Sequence, residues 1–491
     1  MKNKIFILFV ILIGLFVILT NSVNALYSDN GSLAQNVNDC GTLNTTNAVY
    51  TLINNVTSNS TCFSINATNI TLDGNRYAIN YSADGTVGYG VYVNGYNFSQ
   101  VKNSYIYEGR SGTSSKHAIY LIIGNNASIL NNTIIIIGAY SIPIYLVTNS
   151  NNSLIAYNII KGYDSSGGSR GIFLSSSSNA NITQNNITTI DYSKTIYLSA
   201  SSNNIIFNNN ISASGLSSWG LYMDSNSNNN QIDDNLIRAT SGLYMTSSSN
   251  NLANRNNITG SPGVQIDTST NNSFYNNNAT ASSSKSFLIS GTSSPHFNHT
   301  LGNDNRADGL PLNYTFSQNN LNFNAINFSQ YGQTIFAALN NLTITNSNFT
   351  ANGLSLYLVT NSTISNNNIT TSKNVDAAIH VYRSSDNSIK NNLLRTPGSQ
   401  LKTLYLDTSS NNNIIDNNTI NTGGGDQTRS IDVLTSINNN ISNNRITNTN
   451  QYNAHGIVIE TTSTGNKLIN NSIAITGTGG GSTYGIWIYQ S

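Results

Sequence analysis

The sequence predicts an all-β, single-stranded right-handed parallel β-helix, a solenoid with coils of about 21–27 residues. Three observations carry the prediction. The pattern apolar-x-x-Asn-x-apolar recurs with its Asn at Asn132, Asn158, Asn185, Asn209, Asn235, Asn256, Asn277, Asn367, Asn392, Asn418, Asn444 and Asn471, spaced 21 to 27 residues apart except for one gap of 90. About 12 residues before each Asn stands a short alternating segment, from Ile119-Tyr120-Leu121 and Ile144-Tyr145-Leu146 to Leu404-Tyr405-Leu406. Finally, no segment is long enough, or rich enough in Ala, Leu, Glu or Lys, to form a helix.

Each element follows from local chemistry. Period-two alternation of β-branched and aromatic residues means strands, and polar runs such as 175–179 and 228–230 are corners. A coil this short cannot bury its own apolar face, so coils stack at the strand spacing of about 4.8 Å and stability becomes a sum over neighbours. Parallel crossovers are overwhelmingly right-handed. The recurring Asn is expected to adopt the left-handed conformation of a sharp corner and to bond its amide to the Asn above and below, an Asn ladder. Leucine-rich repeats share the period, but they need an L-x-L pair just before the Asn motif, and here the residue two before the first apolar is polar or small: Ala127, Ser153, Ala180, Asn204 and Asn230.

Composition excludes several functions. Charged residues make up 8% of 491 and the formal net charge is +1, which leaves no electrostatic footprint for nucleic acid. Asn accounts for 89 residues. Lys2 and Lys4 precede an apolar run over 5–19, and Val23-Asn24-Ala25 offers a signal-peptidase site, so residues 1–25 are expected to be a signal peptide with no membrane span left after cleavage. Cys40 and Cys62, an even pair in an exported chain, are expected to form a disulfide stapling an N-terminal cap over 26–80. Coils are expected over 81–295 and 351–491, with an interruption over 296–350. There are 27 N-x-[ST] sequons, among them Asn55, Asn97, Asn186, Asn257 and Asn368, which a secreted chain could use for glycans.

The repeat resembles those of the right-handed β-helix superfamily, pectin-lyase-like in fold, and especially its NosD-like and archaeal surface-protein branch. Residues 62–74 are similar to the first coil of such proteins, and Asn305-Arg306-Ala307-Asp308-Gly309-Leu310-Pro311-Leu312-Asn313-Tyr314 is similar to their recurring insertion. The resemblance implies the fold from about residue 40 onward, and it leaves function open because this fold hosts lyases, hydrolases, epimerases, adhesins and structural proteins. Of the polygalacturonase-like catalytic set only Asp233-Asp234 and Ala454-His455-Gly456 are present, and of the pectate-lyase-like set only Arg395-Thr396-Pro397. The Asp-Pro-His-Asp of alginate epimerases is missing.

Two candidate sites remain. Asp224 and Asp267 stand at the same place two coils apart, about 9–10 Å, near the carboxylate separation of inverting glycosidases, and Asp407 and Glu460 repeat the arrangement. The second candidate is the outward position of the first strand, where Tyr120, Tyr145, Phe173, Tyr197, Tyr222, Tyr244, Tyr357 and Tyr405 form a ladder whose rings could offer faces and hydroxyls to a long neutral glycan. His117, His380 and His455 are scattered and no cluster has metal-ligand spacing, so neither cofactor nor metal is expected. The expectation is a secreted or cell-surface protein, adhesin-like or an envelope component, binding polysaccharide or a glycoprotein surface. The competing class is a polysaccharide lyase or inverting hydrolase. The last strand motif, over 485–489, is followed by no cap, and an open coil invites association.

Overall fold

The computed structural model describes residues 27–489 apart from 111–115, 164–167, 169, 191, 372–376, 399–401, 425–426, 451 and 477–480. The expected signal peptide lies outside the described residues. Each full coil has three strands, for example His117–Ile122, Ser128–Leu130 and Thr133–Ile136. Every strand pairs in parallel with its equivalents one coil away, so that Tyr120 stands between Tyr92 and Tyr145, and Ile129 between Val101 and Ile155. The result is a solenoid with three sheets, and among the described residues the only helical elements are the 3-10 turns Ser294–Phe297 and Phe328–Gln330. Inward columns such as Ile129, Ile155, Ile182, Ile206 and Ile232 are buried end to end, each contributing about 1.5–3 kcal/mol of apolar burial that a single coil could not supply. Among the described residues no helix is long and apolar enough to cross a membrane.

The 90-residue gap in the motif marks a break in the stack. Arg306–Ala307 turns back antiparallel onto Leu310–Phe316 through Gly309, whose φ of +86° favours glycine. Leu310–Phe316 then pairs in parallel with Gln333–Ala337 and starts a second stack. The third sheet of the first half therefore runs into the first sheet of the second. Gln333 bridges the join: its Oε1 accepts from the Phe287 amide at 3.0 Å and its Nε2 donates to the Phe287 carbonyl at 2.6 Å. A side-chain amide thus replaces a missing backbone partner.

The recurring Asn side chains lie in rows that are buried up to Asn444, with the last member, Asn471, half-buried. In the first half each Asn Oδ1 accepts both the backbone N–H and the Nδ2 of the Asn one coil earlier, at 2.9–3.1 Å from Asn132 to Asn305. The second half repeats this from Asn367 to Asn471. A second row lies five residues upstream, Asn204, Asn230, Asn251 and Asn272, and again Asn387, Asn413, Asn439 and Asn466, buried except at its last member Asn466. The left-handed corner falls elsewhere than the expectation placed it. Positive φ belongs to the residue just before the row, including Tyr157, Gln184, Asp234 and Arg255, and not to the row Asn itself. The row Asn must point inward to meet its neighbours, so the sharp turn is taken one residue earlier.

The same inward-outward parity sorts the sequons. Of the 27 sequon asparagines only Asn80 is buried, because an inward Asn has an inward residue two places on, and in the coils that place is held by an apolar side chain, whereas after Asn80 it is held by the buried Ser82.

Cys40 and Cys62 are joined in a disulfide across 22 residues, stapling the first coils. Closing a loop of that length removes unfolded-state entropy worth about 3 kcal/mol. Cys40→Ser with Cys62→Ser is expected to lose about that much in the stability of the first coils, seen as earlier melting or faster proteolysis before residue 80.

Candidate functional site

Three outward rows run along the first sheet. The middle row carries Tyr92, Tyr120, Tyr145, Phe173, Tyr197, Tyr222 and Tyr244 in register. Stacking at coil spacing makes the rings meet face to face: Tyr120–Tyr145 centroids are 5.1 Å apart with planes at 13°, Tyr145–Phe173 4.8 Å at 10°, and Phe173–Tyr197 4.5 Å at 6°. The stack then tilts, with Tyr197–Tyr222 at 81° and Tyr222–Tyr244 at 70°. In such a stack a ring's faces belong to its neighbours. Phe173 and Tyr197 are only 6% and 8% exposed, so the row offers edges and hydroxyls rather than the open faces expected from sequence. Burial, and then neighbouring tyrosines, push Tyr120 and Tyr222 up to about 12, which keeps both as neutral hydrogen-bonding phenols at ordinary pH.

Tyr357 leaves the row. It pairs with Tyr382 rather than with His380, sits fully buried, and packs against Phe297 at 5.7 Å. Its strand enters the second stack two residues out of step with the alignment read from sequence, and the segment following the first half covers it. The middle row of the second half is Ser355, His380, Tyr405, Asp432, Val458 and Trp487. Tyr405 is 8% exposed, stacked on His380 at 5.0 Å and 10°, with Lys402 Nζ 3.3 Å from its ring centre.

The row on one side carries cations that alternation did not reveal. Arg170 and Lys194 pair in register, as do Lys402 and Arg429. Each stands three residues before a middle-row residue, an odd spacing that strict alternation would turn inward. Two successive buried residues, Gly171-Ile172 and Thr195-Ile196, break the alternation and bring the cation back outside. Arg170 lies 4.1 Å from the Phe173 ring centre, and Lys194 lies 4.1 Å from Tyr197 and 3.6 Å from Tyr222. In the second half, Asp432 is fully buried and receives Lys402 at 3.2 Å and Arg429 at 2.8 Å, while Arg429 also reaches Glu460 at 2.6 Å.

The row on the other side holds the four candidate carboxylates. Thr246 separates Asp224 from Asp267, and Leu434 separates Asp407 from Glu460, so each pair spans two strand spacings, about 10 Å. Asp224 Oδ2 accepts the Tyr197 hydroxyl at 2.7 Å, and Asp267 Oδ1 accepts Ser290 Oγ at 2.9 Å. Asp407 meets His380 Nε2 at 3.1 Å and accepts Thr408 Oγ1 at 2.8 Å. Burial alone would raise Asp407, but the hydrogen bond and charge of His380 outweigh it and hold the carboxyl below its usual value. An inverting pair needs one protonated carboxyl. Asp407 is held ionised by His380, and Glu460 is engaged by Arg429 at 2.6 Å. Among the described residues no group of three or more His, Cys, Asp or Glu could hold a metal ion. Beside these rows, Gln427, Arg429, Asn453, His455, Ser482, Tyr484 and Trp487 line a cleft of about 410 Å³.

Fold and site together define a parallel β-solenoid with a rigid, ring-bearing outward face. The chain belongs to the family described as the right handed beta helix region, whose model matches residues 165–279 and 333–491. No curated protein sequence matches it. Among solved structures it is similar to the A-module of the mannuronan C-5 epimerase AlgE6 of Azotobacter vinelandii, at 14% identity, with 82% of this chain and 90% of that chain covered and a TM-score of 0.22. A variant of the DFA-IIIase of Arthrobacter chlorophenolicus A6 matches at 11% identity, covering 71% and 90%, with a TM-score of 0.25. The catalytic domain of a GH87 alpha-1,3-glucanase matches at 12% identity, covering 94% of this chain and 64% of that chain, with a TM-score of 0.28. These matches bear on nothing beyond the shared solenoid.

Proposed function

We propose that the chain is an exported surface rod, adhesin-like or part of an envelope and of the NosD-like surface branch, that binds polysaccharide along the outward face of its first sheet. The observation that carries this is the middle row: seven consecutive coils of the first half place an aromatic ring at one outward position. Seven rings at strand spacing extend about 29 Å, a length suited to a polymer rather than a single sugar. Tyrosine edges and hydroxyls, set on a rigid sheet, can hydrogen-bond a chain laid parallel to the axis at little entropic cost. The apolar N-terminal run and the Cys40–Cys62 disulfide support an oxidising, extracytoplasmic location.

In affinity gels containing a polysaccharide panel, Tyr120→Phe with Tyr222→Phe keeps the stack and removes two hydroxyls. Retention is expected to weaken about three- to tenfold, a loss of one or two hydrogen bonds, with the melting curve unchanged. Unchanged retention, in this variant and in Tyr120→Ala with Tyr222→Ala, would leave the row as packing only. The second reading is a polysaccharide-cleaving enzyme, and it rests on Asp224, whose Oδ1 is buried without a partner two coils from Asp267. Release of reducing ends or unsaturated products by the purified protein would replace binding with catalysis.

A further inference from the structure

The two halves treat the same pair of cations differently. In both, two adjacent coils place a cation at the same outward position: Arg170 then Lys194, and Lys402 then Arg429. On the second coil of each pair the middle-row residue is Tyr197 in the first half and Asp432 in the second. One coil later, the residue on the far row is Asp224 or Glu460. The second half thus supplies a buried carboxylate between its cations, and the first half has a tyrosine there.

Arg170 and Lys194 consequently lack what Lys402 and Arg429 possess. Among the described residues neither side chain makes a salt bridge or donates a hydrogen bond, and their contacts are with the rings of Phe173, Tyr197 and Tyr222. The charge of Asp224 acts on both cations, but among the described residues it forms a salt bridge with neither, and its Oδ2 accepts the Tyr197 hydroxyl. Two like charges about one strand spacing apart repel each other, and both are partly withdrawn from water. Burial first, and then Arg170, lower Lys194 to about 8 against the pull of Asp224, as befits a cation short of an anion. A guanidinium fork beside an ammonium, above an apolar ring floor, is the donor set a carboxylate requires.

We propose that Arg170 and Lys194 form a subsite for a carboxylate carried by the ligand, in the role Asp432 plays within the second half, so that the polymer bound on this face is acidic rather than neutral. This rests on the polysaccharide-binding reading of the outward face. The test measures retention of the full chain by polygalacturonate, hyaluronan and alginate, each beside its carboxyl-reduced derivative, with dextran sulfate as a sulfate-bearing arm. The unaltered protein is expected to hold at least one carboxylated polymer about tenfold or more tighter than its reduced form, a preference weakened by salt. Arg170→Gln with Lys194→Gln should abolish the preference while leaving retention of the reduced polymer intact. Should that double variant not fold, Lys194→Met, which keeps the stem over the rings, should reduce the preference alone. Equal retention of carboxylated and reduced polymers overturns the subsite and leaves polysaccharide binding standing, as does a folded variant that keeps the preference. Stronger retention of dextran sulfate than of every carboxylated polymer overturns the carboxylate assignment. Retention of no polymer overturns both proposals.

Discussion

Lys116→Met is expected to lower the stability of the first half by about 3–5 kcal/mol, the loss seen when one partner of a buried ion pair is removed. Lys116 Nζ lies 3.2 Å from Glu108 Oε1, and both side chains have no exposed surface. Glu108 closes the strand Tyr105–Glu108 and reaches into the next coil, where its Oε2 accepts the amides of Ile137 at 3.1 Å and Gly138 at 2.9 Å. Lys116 also donates to the Arg110 carbonyl at 2.8 Å. Fully buried Tyr81 is raised well above its ordinary value, first by burial and then by the charge of Glu108, which places that charge in an apolar surrounding. Methionine keeps the stem's volume but leaves a carboxylate with two amide donors and no counter-ion. Guanidinium denaturation should show the loss, and Lys116→Met with Glu108→Gln should recover more than half of it, because Gln still accepts from the two amides without a charge. A single-variant loss under about 1 kcal/mol would mean that water reaches the pair.

This pair also marks where sequence reading ends. The solenoid was legible because coil period and strand alternation are local and repeat many times, so each copy corroborates the rest. Glu108 and Lys116 occur once, and only the course of the chain between coils decides that both turn inward. The second Asn row has its own signal in the sequence, since Asn204 and Asn209, Asn230 and Asn235, and Asn387 and Asn392 each stand five residues apart. Alternation placed the aromatic residues on one outward row, but it cannot tell an open ring from a stacked one, since that depends on the coil spacing. It also failed at the cations, because the two successive buried residues at Gly171-Ile172 invert the parity between Arg170 and Phe173. Tyr357 was misplaced for another reason: after the break at 306–333 the register is reset by Gln333 and its partners, which no periodicity across the gap can anticipate.

Asn235→Ala is expected to cost about 3–5 kcal/mol, because several buried groups lose their partners at once and each costs roughly 1–3 kcal/mol. Asn235 Nδ2 donates to the Ile206 carbonyl at 2.7 Å, the Asp233 carbonyl at 2.9 Å and Asn256 Oδ1 at 3.0 Å. Its Oδ1 accepts the Asn209 amide at 2.9 Å and Nδ2 at 3.0 Å. Two isosteres and one neighbour separate the possible roles. Asn235→Asp turns the donating end into an oxygen facing carbonyl oxygens in a buried site, so it should cost at least as much as alanine despite its matching shape. Asn235→Ser should be milder: Ser347 fills this place in the interrupted coil, accepting the Ile326 amide at 3.0 Å and donating to the Thr345 carbonyl at 2.8 Å. Asp234→Gly should be neutral or stabilising by up to about 1 kcal/mol at the corner, since Asp234 itself holds the φ of +56°, although loss of its contact with Arg255 at 2.7 Å offsets part of that gain. If the row served only to turn the chain, Asp and Ser would behave alike at 235 and Gly would be the best residue there. The opposite ranking, Asn above Ser above Ala and Asp in thermal midpoint, is what axial amide-to-amide bonding requires, since only Asn can donate to one coil and accept from the other in the same buried space.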